Sequence, residues 1–273
     1  MAQTPVKAPG GRGRFISFEG GEGSGKSTQI KMLAERLAGM KLHAVVTREP
    51  GGSPGAEIIR HLVLSGMGKL LGPEAETLLF AAARDDHART VIEPALKQGT
   101  WVLSDRFSDS TRVYQGALGH VAPGLLNAMQ RVTIGDLKPD LTVILDVPVE
   151  VGLKRAAARR GAAAADRFES EDISFHQQLR EAYRQIAESE PERCVLIDAT
   201  EDPAKVAANI WSALRDRFFS TSTGNAAAPA SAARPRRKRR YRIRGKPPTC
   251  LVIAKPRWRC SMPIAADAFR THG

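Results

Sequence analysis

Residues 20–27 read Gly-Gly-Glu-Gly-Ser-Gly-Lys-Ser, and no other segment restricts the fold as strongly. Glycines this dense do not continue a strand or helix; they form a turn whose backbone N–H groups can point inward around an anion. Residues 14–19, just ahead, are a short apolar and partly β-branched run, which predicts a buried strand. Ser27 to Met40, just behind, places Ile30, Leu33, Leu37 and Met40 near one face, which predicts a helix. A strand, the pattern GxxxxGK[ST] and a helix in that order make a phosphate cradle. The glycine N–H groups and the helix N-terminus supply positive potential. Lys26 is placed to reach the β- and γ-phosphates of a nucleotide, and the Ser27 hydroxyl to ligate Mg²⁺. The expected nucleotide-binding stretch is therefore Gly20, Gly21, Glu22, Gly23, Ser24, Gly25, Lys26, Ser27 and Thr28.

The remaining pattern predicts strands at 42–47, 101–104, 141–146 and 194–198. Helical spacing falls at 56–65, 73–97, 149–160, 171–189 and 202–219, with a mostly helical stretch at 108–135. Residues 49–55 hold three Gly and two Pro and must be a loop. Strands alternating with helices predict an α/β fold with a five-stranded parallel sheet sandwiched by helices. The strand runs are continuously apolar, as buried parallel strands are. No internal repeat is present.

Composition excludes several classes. No stretch approaches the roughly 20 apolar residues that span a bilayer. Residues 1–13 form a polar, Gly/Pro-rich leader without the apolar core of a secretory signal. The three cysteines, Cys194, Cys250 and Cys260, form no CxxC, so neither a disulfide framework nor zinc or thioredoxin chemistry is expected, and the location read is cytoplasmic. None of the six histidines has ligand spacing, so all are read as structural or surface. The net charge of +12 invites a nucleic-acid reading, but residues 221–273 hold 13 of the 41 Lys/Arg and one of the 29 acids. The first 220 residues are left with 28 of each sign (41 less 13, 29 less 1) and are neutral. Residues 220–273 read as a disordered basic tail. Its stretch 234–259, with Tyr241 and Trp258 among the arginines, is the one place where nucleic-acid binding is a second hypothesis.

A phosphate loop alone fits GTPase switches, ATPase motors and small kinases. A guanine-reading NKxD is absent, and so is a second nucleotide motif. Four further segments narrow the choice. Thr47-Arg-Glu-Pro-Gly-Gly-Ser-Pro54, Leu79-Phe-Ala-Ala-Ala-Arg84, Ser104-Asp-Arg-Phe-Ser-Asp-Ser-Thr111 and Tyr114-Gln-Gly116 follow the extended loop motif Phe18–Thr28. Their order and spacing over residues 14–217 resemble the bacterial thymidylate kinases, P-loop nucleoside monophosphate kinases.

That resemblance makes the stretch 20–28 an ATP-binding one and implies transfer of the ATP γ-phosphate to dTMP, giving dTDP for the dTTP pathway, within a kinase domain at 14–219. A kinase acting on another nucleotide is the runner-up. The Arg of the Asp105-Arg106 pair would hold the acceptor phosphate, a task that suits a guanidinium fork. Asp105 would support Mg²⁺, directly or through water. Phe80 would stack on thymine and Arg84 bond a base carbonyl, four residues apart on one helical face. Arg60 matches another acceptor-phosphate arginine, and Thr111 and Gln115 match base-contacting positions. Glu22, inside the loop, would contact the sugar 3′-hydroxyl or orient a phosphate-binding arginine. Residues 155–170 resemble a short mobile lid. Because the loop here carries no arginine, the family pattern draws the missing cation from that lid, and Arg159 and Arg160 are the candidates, with Arg155 and Arg167 beside them. Phe107 stands where Tyr is common, and Arg112 where Gln or Ala is frequent. The family also implies a homodimer, with the apolar helix 73–83 as a candidate face.

Overall fold

A computed structural model of the chain describes residues 11–161 and 167–219. Most of the leader, the alanine stretch after Gly161 and the tail at 220–273 lie outside the described residues. Arg12 and Gly13 are held at the edge of the fold. Arg12 pairs with Asp140 at 3.0 Å, and the Gly13 N–H donates to the Leu96 carbonyl at 2.8 Å.

Five strands are present among the described residues: β1 Phe15–Glu19, β2 Ala44–Arg48, β3 Trp101–Asp105, β4 Leu141–Asp146 and β5 Cys194–Asp198. All pair in parallel, in the order β2-β3-β1-β4-β5. The helices are α1 Lys26–Gly39, α2 Pro54–Leu64, α3 Pro73–His87, α4 Glu93–Lys97, α5 Ser108–Thr111, α6 Pro123–Thr133, α7 Val149–Arg160, α8 Ile173–Ser189 and α9 Pro203–Phe218. No described helix is long and apolar enough to cross a membrane.

Side chains alternate across the sheet and build a core on each face. Ile16, Phe18, Leu103 and Leu145 pack with Leu33 and Leu37 of α1 and with Ile210 and Leu214 of α9. On the other face Phe15 and Val102 meet Ile92, Leu96 and Phe107, and Ile144 meets Leu179, Tyr183 and Ile186 of α8. The buried side of α1 is the predicted one, except that Met40 lies past the helix end and is exposed. Asp172 caps α8 by accepting from the Phe175 N–H at 2.7 Å, which stops a polar start from fraying.

Two expected helices are divided. The stretch 73–97 is α3, a π-helical turn at Ala88–Ile92 and α4. Pro94 has no N–H and its ring would strike the carbonyl four residues back in a regular α-helix, so the widened turn just before it relieves the clash. The stretch 108–135 is α5, a π-helical segment at Arg112–Leu118, a break at His120 (φ +54), and α6 beginning at Pro123.

The topology positions the site. Strand order reverses around β1, and ligands bind at the carboxyl ends of strands at such a point. The β1–β3 register sets Phe18 opposite Asp105. The loop leaving β1 and the Asp105-Arg106 pair leaving β3 are therefore neighbours in space, although their sequence positions are far apart.

Candidate active site

The phosphate loop turns through positive φ at Gly20 (+131), Gly23 (+65) and Gly25 (+91), conformations that glycine adopts at no steric cost. Gly23 is doubly required. A Cβ there would lie 1.9 Å from the Gly152 carbonyl oxygen, and a Cβ on Gly152 would lie 2.5 Å from the Glu22 carbonyl oxygen. The first turn of α7 thus rests backbone to backbone on the loop. Sequence reading passes over Gly152. The available signal is a glycine inside a helical pattern, which weakens the helix and so asks for a packing reason.

Lys26 is buried and folds back along the loop. Its Nζ donates to the carbonyls of Gly20 at 3.0 Å and Gly21 at 2.9 Å. Burial and the neighbouring Arg106 push its ammonium pKa down, against the pull of Asp105, Glu22 and Glu19. Ser27 Oγ donates to Asp105 Oδ2 at 3.0 Å, so the expected metal-supporting groups lie side by side. A hydroxyl and a carboxylate are hard oxygen donors. They fit Mg²⁺, which takes few protein ligands and keeps waters and phosphate oxygens for the rest. No cage of three or more His, Cys, Asp or Glu is found among the described residues.

Arg106 has φ +71, a left-handed conformation that costs a non-glycine residue about 1–2 kcal/mol. Its Nη2 donates to Glu22 Oε1 at 2.7 Å, and its Nη1 to the Gly20 carbonyl at 3.3 Å and to Tyr183 Oη at 3.2 Å. The guanidinium also lies 5.1 Å from the Tyr114 ring centre. Glu22 accordingly points at Arg106. Burial alone would push the Glu22 carboxyl up, but Arg106 and Lys26 outweigh that and hold it below the usual range.

The residues expected at the base converge on a buried cluster. Arg84 Nε donates to Glu49 Oε2 at 2.7 Å and its Nη2 to Thr111 Oγ1 at 2.9 Å. His87 Nδ1 lies 3.0 Å from the second Glu49 oxygen, and His87 Nε2 lies 2.7 Å from Thr47 Oγ1. Burial favours the neutral Glu49 acid, yet Arg84 and His87 win and keep its carboxyl low. Thr111, expected at the base, therefore also aims Arg84. Arg60 Nη1 donates to the carbonyl of Pro50, the residue after the cis Glu49–Pro50 bond, at 2.6 Å. Phe107 is fully buried, edge-on to Phe15 at 4.8 Å, so the ring alone is what this position uses. Arg112 pairs with Asp109 at 2.9 Å and Glu190 at 2.6 Å, a structural role away from the loop.

A single cavity of about 360 Å³ collects these groups. Glu22, Gly23, Ser24, Gly25, Lys26, Ser27, Thr28, Arg60, Phe80, Arg84, Asp105, Arg106, Thr111, Gln115 and Arg159 line it. Gly20 and Gly21 do not; these two loop residues line a separate small cavity of about 20 Å³ with His176 and Arg180. Arg160 is not on its wall either. Among the lid-region arginines, Arg155 donates to the carbonyls of Ala199 at 2.8 Å and Thr200 at 3.2 Å. Arg167 is forked onto Glu76, and Arg159 and Arg160 both meet Glu169, at 3.2 and 2.6 Å. The wall also includes Arg48, Leu64, Ser110, Tyr114 and Phe168, which sequence reading leaves unassigned. Tyr114 and Ser110 stand inside the quoted motifs and so are findable; Leu64, one helical turn after Arg60, is findable only as a face neighbour.

A triphosphate cradle at the end of β1, facing an arginine-lined half built on β3 and α3, defines a P-loop kinase that brings two phosphorylated ligands together. Comparison with known proteins narrows this. The pattern of the family described as Thymidylate kinase matches residues 18–210. The chain is 74% identical over 221 residues to a thymidylate kinase of Bradyrhizobium diazoefficiens, covering 81% of this chain and 97% of that one. It is 73% identical over 233 residues to one of Nitrobacter winogradskyi, covering 85% of this chain and 100% of that one. A crystal structure of thymidylate kinase from Ehrlichia chaffeensis superposes with a TM-score of 0.61 at 32% identity, covering 74% of this chain and 99% of that one. The chain belongs to the thymidylate kinase family.

Proposed function

We infer that the chain phosphorylates dTMP to dTDP at the expense of ATP, with the cavity split into a donor half and an acceptor half. The observation that carries this reading is that Phe80 and Arg84 open onto the same cavity as the phosphate loop. An aromatic face and a buried cation on one wall suit a pyrimidine base, and the opposite wall suits phosphates. Arg106 and Arg60 hold the acceptor phosphate, with Glu22 aiming Arg106. Lys26 and the loop N–H groups hold the β- and γ-phosphates of ATP. Ser27 and Asp105 are the groups that would hold Mg²⁺, which when bound neutralises charge on the transferring phosphate. Arg159, on the cavity wall, is the lid arginine placed on that phosphate, while Arg160 anchors Glu169. Phosphoryl transfer needs positioning and charge neutralisation, and no covalent intermediate on the chain.

Kinase work is assigned to residues 14–219, and the 234–259 stretch is an extension, the one part where nucleic acid would bind. Exposed Ile58 and Leu78, on the paired helices α2 and α3, support a homodimer. An enzyme supplying dTDP works where nucleotides are made, so the cytoplasm is its proposed location. The deciding experiment is ADP release across dTMP, dUMP, dCMP, dAMP and dGMP. dTMP is expected to have the highest kcat/KM. Preference for another acceptor would refute the substrate while leaving the fold intact.

The glycine contact gives a separate test. Alanine relieves a helix penalty of about 1 kcal/mol, but at position 152 it must push α7 off the loop. Gly152→Ala is expected to raise KM for ATP about tenfold, because small misplacements of a phosphate cradle are costly. A variant with unchanged ATP kinetics would show that the contact between α7 and the loop is incidental.

A further inference from the structure

Glu19, the last residue of β1, has no exposed surface, and no step assigned so far uses it. A buried carboxylate persists only when donors surround it. Three do. The Phe107 N–H donates to Oε1 at 2.8 Å, and the hydroxyls of Ser110 and Tyr183 donate to Oε2 at 2.7 and 2.9 Å. Each of these donors borders Arg106. Phe107 is the next residue, so its N–H fixes the peptide that leaves the left-handed turn at Arg106. Ser110 Oγ and Tyr183 Oη each also accept from Arg106 Nη1, at 3.4 and 3.2 Å. One carboxylate thus holds both the strained backbone and the hydroxyls on which the guanidinium leans.

We propose that Glu19 is a positioning residue for the acceptor phosphate: it clamps the turn at Arg106 and, through Ser110 and Tyr183, sets the direction of the Arg106 guanidinium. This rests on the assignment of Arg106 to that phosphate. Strand alternation explains how Glu19 reaches across. Ile16 and Phe18 serve the α1 face, so Glu19 points to the opposite face, where α5 and α8 carry its hydroxyl partners.

The charge environment is consistent. Burial, with Asp109 close by, pushes the Glu19 carboxyl up to about 7 against the pull of Arg106. Lys26 from α1, Tyr183 from α8 and Tyr114 from the π-helical segment also lie within its field. A carboxyl raised on folding contributes stability that is full below its ordinary value near 4.5 and is lost as pH rises through about 7.

The test compares Glu19→Ala, Glu19→Gln and Arg106→Ala. Glu19→Ala is expected to raise KM for dTMP about tenfold, the effect of one misaligned charged hydrogen bond, with KM for ATP within about twofold. Glu19→Gln keeps an acceptor for the Phe107 N–H and is expected to recover most of the loss. The melting-temperature difference between wild type and Glu19→Gln should fall between pH 4.5 and about 7 and stay level above it. Unchanged dTMP kinetics in a folded Glu19→Ala, or equal rises in both KM values, would overturn the proposal. If Glu19→Ala does not fold, Tyr183→Phe decides: a dTMP-selective rise in KM supports the clamp and no change sinks it. A large Arg106→Ala effect beside a silent Glu19→Ala places the failure on Glu19 alone. An unchanged Arg106→Ala removes the acceptor assignment on which both stand.

Discussion

Lys26→Ala is expected to lower kcat by about 10³-fold or more, the loss typical of a charge-stabilising donor removed from a closed site. The reason lies in where the ammonium is held. Its Nζ sits 3.0 and 2.9 Å from the Gly20 and Gly21 carbonyls, inside the curl of loop that cradles phosphate. Among the described residues no other lysine lines the cavity. The same substitution is not expected to lower thermal stability of the free protein. Burial and Arg106 already depress the Lys26 pKa, so its removal relieves a desolvated cation. dTMP binding should survive, since Phe80, Arg84 and Arg106 are held by other elements. The measurements are coupled ADP release, thermal melting and dTMP titration on one preparation. Full activity in the variant would remove the loop from the reaction. Lost activity together with lost dTMP binding would point to a damaged fold in place of a missing charge.

The contrast between what was readable along the chain and what was not follows from distance. The phosphate loop is contiguous and its pattern is carried by spacing alone, so the turn after β1 and its place at the head of α1 are readable along the chain. Strand and helix order likewise follow from apolar periodicity. The proposed base pocket is another matter. Phe80 and Arg84 share a helical face, but periodicity alone fits a core Phe beside a surface Arg, and only the resemblance separates the two. The carboxylate that orients Arg84 is Glu49, 35 residues away, and His87 meets the same group from 38 away. Nothing in a linear pattern joins them. The lid-region arginines are equivalent in sequence and differ only in partners: Arg155 is spent on carbonyls, Arg167 on Glu76, and Arg159 alone of the four lines the cavity. The divided helix at 73–97 has a local cause, Pro94, but whether a proline ends, kinks or widens a helix depends on what packs around it.

Arg106→Ala is expected to reduce kcat/KM for dTMP by about 10³-fold, close to 4 kcal/mol at about 1.4 kcal/mol per decade. Two losses combine. The acceptor phosphate loses a forked, charge-assisted partner. Glu22, held 2.7 Å from Nη2 in the wild type, loses the cation that does most to hold its pKa down and is left as a buried acid facing the substrate's negative charge. Arg106→Lys keeps one charge but loses the fork, and should recover no more than about tenfold of the deficit. Arg106→Gly separates conformation from chemistry. At φ +71 alanine inherits the left-handed strain and glycine does not, so the glycine variant should be the more stable by about 1 kcal/mol. Both should be equally inactive if the guanidinium is what matters. An Arg106→Gly variant with much more activity than Arg106→Ala would mean that the residue serves the turn and that another arginine, Arg60 foremost, carries the phosphate. Double substitution of Glu22 and Arg106 adds a further check. Removing the carboxylate from the Arg106→Ala background should restore part of the dTMP affinity, because the repulsion between Glu22 and the acceptor phosphate disappears with it. If the double variant is no better than the single one, Glu22 does not face the phosphate, and its role reverts to the sugar hydroxyl.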